Sequence, residues 1–323
     1  MKSLRFAIAL LCAFGLGARA DAQTAFADWK HSGSIYVLTD AEGADLPASV
    51  NVENFPLLVR LHKDFFPFDQ AKANGDDLRF ADGNGAPLAH QIEEWNPARG
   101  AACVWVRIPS IRGNARQEIK LFWGNSAAPR VSDGKAVFNA SNGYVSVRHM
   151  SDPVRDEVTV TTSVDQGTTR AAGIIGAARH FDLGHGIRCG EDLLMFPSGS
   201  APNTSEAWIR ADKSNGRILA WGLEKAQGKV VMQVSSPPHI RMECYFSGAD
   251  VAGKSKLPMS EWTHIAHTYK KGESRVYVNG RLDGVNVTPN APLSIPTPAK
   301  MWIGGWYGTY NFVGDIDEVR ISS

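Results

Sequence analysis

Long helical periodicity is what this chain of 323 residues has least of. No stretch of about twelve residues repeats its apolar positions every three to four, and the best candidate is a short turn or two around Phe68 to Ala73. That argues against helical bundles and doubly wound α/β folds. Long apolar runs are missing too: beyond the amino terminus nothing approaches the roughly 20 residues that a membrane-spanning helix needs, so no span is expected in the mature chain. Charge of one sign is equally absent. Lys plus Arg number 34 against 33 Asp plus Glu, no basic stripe occurs, and a nucleic-acid binder is therefore not expected. Cysteine is scarce, and none lies in a CxxC or Cys/His spacing that would hold zinc.

The amino terminus carries Lys2 and Arg5, an apolar run from Phe6 to Leu16 and the small-x-small sequence Ala20-Asp21-Ala22. This is the pattern of a cleaved secretory signal over residues 1–22. The mature chain is then expected to start near Gln23 and to be exported, to the periplasm or outside the cell. Its charge balance is 31 basic against 32 acidic residues. Cys12 leaves with the signal, and no small residue precedes it as a lipoprotein cysteine would require. Cys103, Cys189 and Cys244 remain, an odd number that cannot pair fully within the chain. A bridge between Cys189 and Cys244 is left open by the spacing, while Cys103 in Ala101–Val106 reads as a small buried hydrophobe.

What the sequence does have is short β-branched and aromatic runs punctuated by Gly, Pro, Asn and Asp. Examples are Ser34 to Leu38, Pro56 to Leu61, Val104 to Ile108, Glu118 to Trp123, Thr263 to Tyr269 and Arg275 to Val278. The expected class is all-β, as two β-sandwich domains. Turn residues at 124–129 and 132–135 place a boundary that gives domains at 23–133 and 134–323. The polar, Thr-rich segment from Met150 to Gly173 reads as a long loop. Asn279-Gly280 after Arg275–Val278 predicts a hairpin with a type I′ turn, and Trp262 reads as a core anchor. Trp29, Trp95, Trp105 and Trp123 are read as core or interdomain residues.

Several stretches carry a family resemblance. Phe55–Val59, Gly75–Phe80, Pro87–Glu93 and Ile119–Asn125 resemble the DUF2341 family of exported bacterial domains. Trp262–Tyr269, Arg275–Gly280 and Gly314–Ser322 resemble the laminin-G-like, concanavalin A-like jelly roll, a fold that hosts lectins, enzyme modules and adhesion domains. In longer relatives this pair precedes a proton-channel region of the ExbB/TolQ type, so the resemblance implies ExbB/TolQ or TonB-like envelope partners as one alternative.

Chemistry is sought first on the last strand. Alternation puts Asp315, Asp317, Val319 and Ile321 on one side and Ile316, Glu318 and Arg320 on the other. If Val319 and Ile321 face the core, Asp317 is drawn inward and needs a partner. Two explanations stand: calcium held by Asp317 and Asp315 with Asp152 or Asp182, or hydrogen bonds from backbone N–H groups and a neighbour such as His149. Retaining glucanases of this fold carry Glu-x-Asp-x-x-Glu on such a strand. Here Asp315 stands at the nucleophile position and Arg320 at the acid position, so no catalytic pair is identified. Glu93 and Glu94, adjacent on a strand, are expected to face opposite sides. Ser163–Thr169 nearly matches a sialidase Asp-box, but a single copy reads as a turn. His264 and His267, three apart on a strand, should also face opposite sides.

The segment Gly304–Phe312 sets Trp306, Tyr307 and Tyr310 with Asn311 in a glycine-rich loop, where rings can stack on sugars and an amide can bond hydroxyls. The alternative is that Trp302, Trp306 and Phe312 plug the sandwich edge. The expectation is an exported, non-catalytic module that binds glycan or another envelope component. The alternatives are a structural or protein-interaction part of an ExbB/TolQ-type assembly, and a glycoside hydrolase.

Overall fold

A computed structural model describes residues 25–246, 248–288 and 292–323; the signal expected at 1–22 lies outside the described residues. The β-branched and aromatic runs form strands, and among the described residues helix is confined to a turn at Gly134–Val137 and 3-10 turns at Phe68–Gln70 and Ala140–Asn142. The chain divides into two compact units, neither continuous in sequence. One takes the chain up to Asn51 with Asp69–Leu88 and Ile111–Arg130, and the other takes Val52–Phe68, Ala89–Ser110 and Val131–Ser323.

The first unit is a four-stranded antiparallel sheet in the order β1 (His31–Leu38), β7 (Arg116–Trp123), β3 (Arg79–Asp82) and β4 (Pro87–Leu88). Leu78, Phe80, Ala81, Ile119 and Leu121 are buried in it. The buried carboxylate of Asp77 accepts N–H bonds from Lys72 (2.8 Å), Gly124 (2.7 Å) and Asn125 (3.2 Å). Trp29 donates to the Asp77 carbonyl and Trp123 to Gln70, so both indoles have structural partners.

The second unit begins with a three-stranded sheet, β2 (Asn51–His62), β6 (Ala101–Arg112) and β5 (His90–Asn96), which falls almost wholly within it. Most residues of β2, β5 and β6 therefore pack with the segment 134–323, although they lie inside the stretch 23–133. Two larger sheets form a sandwich. One runs β10 (Thr169–Ala172), β11 (Ala177–Phe181), β24 (Gly314–Ser322), β13 (Asn203–Ala211), β18 (Thr263–Lys270), β19 (Glu273–Val278) and β20 (Arg281–Val287), with β8 (Tyr144–Arg148) also paired to β24. The other runs β17 (Val251–Ala252), β16 (Ile240–Glu243), β15 (Lys229–Val234), β14 (Gly216–Gly222), β21 (Ala299–Ile303), β12 (Gly186–Leu193) and β9 (Val164–Gln166), followed by a small hairpin of β22 (Gly305–Trp306) and β23 (Thr309–Tyr310). Alternate residues of the two sheets, such as Ile209, Ile265 and Ile316 from one and Trp221, Met232 and Ile303 from the other, close a single core.

Several local expectations meet the structure here. Asn279 (φ 49°) and Gly280 (φ 74°) both take the left-handed conformation that a type I′ turn needs, and β19 and β20 pair across them. The segment 150–173 is not a plain loop. Its end forms β9 and β10, because Asp165 accepts from the Thr168 N–H (2.9 Å) and hydroxyl (2.7 Å) and so ties the near-Asp-box into the turn between them. Trp262 is only half buried, with the Arg210 guanidinium 5.6 Å from its ring centroid. Cys189 and Cys244 are both free and buried, so the bridge left open by the spacing is not formed.

His267 packs inside the sandwich with Nε2 2.8 Å from Ser274 Oγ, and burial depresses its pKa to about 3. Its folded pKa lies below the unfolded value, so its contribution is complete above about pH 6.5 and is lost as acid protonates the unfolded chain. At pH 4.5 that loss amounts to roughly 2.5 kcal/mol. Urea unfolding of the parent and His267→Asn across pH 4.5–7.5 should show the variant less acid-sensitive by about one proton; parallel slopes would refute the assignment.

Candidate functional site

The alternation expected on β24 is broken. Against β13, Trp208 pairs Asp317 and Glu206 pairs Arg320, so Glu318 and Val319 both stand opposite Ala207. This bulge shifts the phase of the strand. Ile316, Val319 and Ile321 all enter the core, and Asp317, two residues before Val319, does not share its side. Glu318 sits at the bulge with φ 50°, an unusual backbone for a residue with a side chain.

The opposite edge of β24 is shared. β11 pairs residues 314–316 and β8 pairs residues 319–322, which leaves a gap at Asp317 and Glu318. Asp317 fills it with hydrogen bonds: Oδ2 accepts from the N–H groups of Ile174 (2.9 Å) and Ile175 (3.0 Å), and Oδ1 accepts from that of Glu318 (2.8 Å). A Cβ on Gly173 would lie 2.5 Å from Oδ2, so the close approach needs glycine. Burial, then the charges of Glu318 and Glu93, pushes the Asp317 carboxyl well above its usual value against these donors.

Beside Asp317 lies a cluster that alternation alone does not reveal. Glu318 Oε1 is 2.7 Å from His149 Nδ1, and Glu318 Oε2 accepts from Arg320 at 2.5 Å. His149 Nε2 donates to Gln91 Oε1 (3.2 Å), and its ring stacks on Trp105 at 5.8 Å. Glu93 reaches in from β5, with Oε2 3.5 Å from His149 Nδ1 and accepting the Trp105 indole N–H at 2.6 Å. A second bulge places it there: Ile92 pairs Val104 and Glu94 pairs Cys103, leaving Glu93 as the extra residue. The expectation that Glu93 and Glu94 face opposite sides therefore fails, and a Cβ at Gly176 would meet both Glu93 Oε1 (2.5 Å) and Glu94 Cβ (3.6 Å).

The electrostatics of the cluster are tightly linked. Burial opposes charge on His149, but Glu318 and Glu93 outweigh it and raise the imidazole to about 9. Burial likewise opposes charge on Glu318, yet His149 and Arg320 hold it down at about 2. Burial, followed by the Glu318 charge, lifts Glu93 to about 7. Without another ion present, the arrangement is an imidazolium–carboxylate pair with a second carboxyl poised near neutrality.

The acids considered for calcium are placed apart from one another. Asp315 meets His180 Nδ1 at 2.8 Å and the Arg210 guanidinium. Asp152 lies 3.8 Å from Arg179, and Asp182 lies 3.7 Å from His180. With Asp317 saturated by N–H donors and Asp315 facing two basic groups, this set does not fit a cation. Among the described residues the one group of three or more His, Cys, Asp and Glu with convergent ligand atoms is Glu93, His149 and Glu318.

The aromatic segment is built on the outer face of the seven-stranded sheet. Strand register places Arg188, Trp302, Ala220, Val231 and Glu243 in one row across β12, β21, β14, β15 and β16. Trp302, Ala220 and Val231 form an apolar cluster with Trp306 and Tyr310, separate from the main core. Trp306 and Tyr310 are thus buried, and the Trp306 indole donates to Glu224. Asn311 uses both polar atoms on backbone, accepting from Arg217 N (3.0 Å) and donating to Asn215 O (3.1 Å). Phe312 lies in the main core. Tyr307 differs from these: it is 45% exposed, at φ 50°, with its ring stacked on Trp302 at 4.6 Å. Around it stand Lys300, 5.7 Å from the ring centroid and 3.3 Å from Glu191, and Arg188, 2.9 Å from Glu191.

Residues 74–148 match the family model described as a domain of unknown function (DUF2341), and residues 189–323 match that of the concanavalin A-like lectin/glucanases superfamily. No curated protein matches the chain. Among solved structures it is similar to domain 4 of AbnA, a GH43 extracellular arabinanase from Geobacillus stearothermophilus, in complex with arabinotriose. That match has 20% identity and TM-score 0.45, covering 56% of this chain and 92% of that one. Carbohydrate binding module CBM66 from Bacillus subtilis is similar at 14% identity and TM-score 0.33, covering 50% and 95%. The heptameric SAP-like pentraxin of Limulus polyphemus is similar at 17% and 0.31, covering 38% and 64%.

Proposed function

We propose that this chain is an exported, non-catalytic binding module and that the outer face of its seven-stranded sheet recognises carbohydrate. The observation that carries the reading is Tyr307, an exposed ring braced from beneath by Trp302 and ringed by charged hydrogen-bonding groups. A sugar presents an apolar ring face for stacking and hydroxyls for polar side chains. Glu224, Glu191, Lys300 and Arg188 supply those side chains around one aromatic platform. Glu224 is held ionised: burial works to raise its pKa, but the Trp306 N–H and Lys229 bring it below the usual carboxylate value. The hydrolase alternative finds little support, since Asp315 is bound to His180 and Arg210 and Arg320 stands where an acid would be required.

The test is binding to a panel of plant and bacterial polysaccharides, followed by titration with an oligosaccharide of the best one. Tyr307→Ala should weaken binding at least about tenfold, as for an aromatic anchor, and Tyr307→Phe should keep most of it. Full affinity in Tyr307→Ala would remove this face from consideration. If no polysaccharide binds the parent, the carbohydrate reading falls and envelope proteins become the ligands to test.

A further inference from the structure

The structure assigns a metal site to Glu93, His149 and Glu318, for a divalent transition ion of the zinc class. The three side chains come from β5, from the end of β8 and from β24, and their ligand atoms lie within 4.8 Å of one another. His149 and Glu318 are each held from behind by a partner that leaves an atom facing the cluster, and Glu93 is fixed by the Trp105 N–H on the oxygen nearest His149. Gln91 takes the Nε2 proton of His149, so Nδ1 faces the carboxylates. Arg320 binds Glu318 Oε2 and leaves Oε1 toward His149, while Trp105 steadies Glu93. Such supports orient ligands in metal sites and raise affinity.

An independent observation points the same way. The Glu93 side chain is only 2% exposed, yet its Oε1 has no hydrogen-bond partner. A buried carboxylate oxygen without a donor is costly. A cation held by the Glu93 carboxylate through both oxygens would supply the partner that Oε1 lacks. Two oxygens and one imidazole nitrogen suit zinc, whereas calcium and magnesium prefer oxygen alone. Ligands about 2.0–2.2 Å from zinc in tetrahedral array lie roughly 3.3 Å apart, and the observed separations from His149 Nδ1, 2.7 and 3.5 Å, bracket that spacing. Two carboxylates and a neutral imidazole bring two negative charges to the ion, with Arg320 shared between Glu318 and Glu206 and the proton of His149 leaving as the ion enters.

This site does not depend on the carbohydrate reading. The whole chain should be stripped with a chelator, dialysed at pH 7.5 and titrated with Zn²⁺ by calorimetry, with bound zinc counted by mass spectrometry. One equivalent should bind, and millimolar Ca²⁺ or Mg²⁺ should not displace it. Glu93→Gln and His149→Gln should each weaken binding at least about tenfold, with circular dichroism reporting whether the fold is kept. Co²⁺ bound to the parent should give the intense visible bands of a low-coordinate ion, a readout that needs no variant. Absence of stoichiometric Zn²⁺ uptake in the folded parent, or parent-like affinity in folded Glu93→Gln, would overturn the site.

Discussion

Arg148→Ala is expected to lower stability by roughly 3–5 kcal/mol, because it leaves a buried charge without its counter-ion. Arg148 is fully buried, and its guanidinium lies 3.3 Å from Asp156 Oδ2. It also donates to Ser163 Oγ (3.1 Å), to the Cys189 carbonyl (3.3 Å) and to Ser146. Asp156 in turn accepts the N–H groups of Val147 (3.2 Å) and Val158 (2.9 Å). Removing the arginine strands that carboxylate, whereas Arg148→Met with Asp156→Asn removes both charges and keeps most of the volume. The double variant should recover at least half of the loss, and chemical unfolding of the parent, Arg148→Met, Asp156→Asn and the double variant would measure the coupling. Additive losses would show that the two groups do not act as a pair.

Asp317→Ala should cost about 2–4 kcal/mol, since it deprives three N–H groups of their acceptor and a buried unpaired donor costs about 1–3 kcal/mol. Asp317→Asn keeps one oxygen for Ile174 and Ile175 and should cost clearly less. The readout is local as well as global: amide exchange at Ile174 and Ile175 should accelerate in the alanine variant before the rest of the fold opens. Equal stability of the two variants would mean that these bonds are not what closes the gap in the strand edge.

The all-β class and the hairpin at Asn279-Gly280 were legible because they rest on periodicity and turn chemistry, which are local, whereas the jelly roll was legible through the family resemblance of Trp262–Tyr269, Arg275–Gly280 and Gly314–Ser322. The face assignments on β24 and β5 were not. Alternation presumes an unbroken ladder, and both strands carry an extra residue at the acid that matters, Glu318 on one and Glu93 on the other. Neither position is a glycine or proline, so nothing local marks the bulge. His149 was named as a neighbour of Asp317 and instead meets Glu318. The available signal was Arg148-His149 directly after the apolar Tyr144–Val147 run, two basic groups in a strand that had to find acids. In the aromatic segment, composition marked Gly304–Phe312 as a candidate surface. Separating exposed Tyr307 from buried Trp306 and Tyr310 required knowing that a two-residue hairpin folds them over the sheet.

The interleaving of the two units sets an order of events during synthesis. Once Arg130 has been made, every strand of the four-stranded sheet is available and that unit can close. β2, β5 and β6 have also been made by then, but their packing partners have not. The layer over Trp105 and Cys103 is completed by Phe138, Val147, Val158 and Ile175, and the strand that pairs β8 is the last of all. The earliest strands of the larger unit must therefore wait about 45 further residues, until Ile175 has been made, with apolar faces uncovered, and β8 waits for the last strand; these are the intervals in which nascent β-structure is most exposed to aggregation.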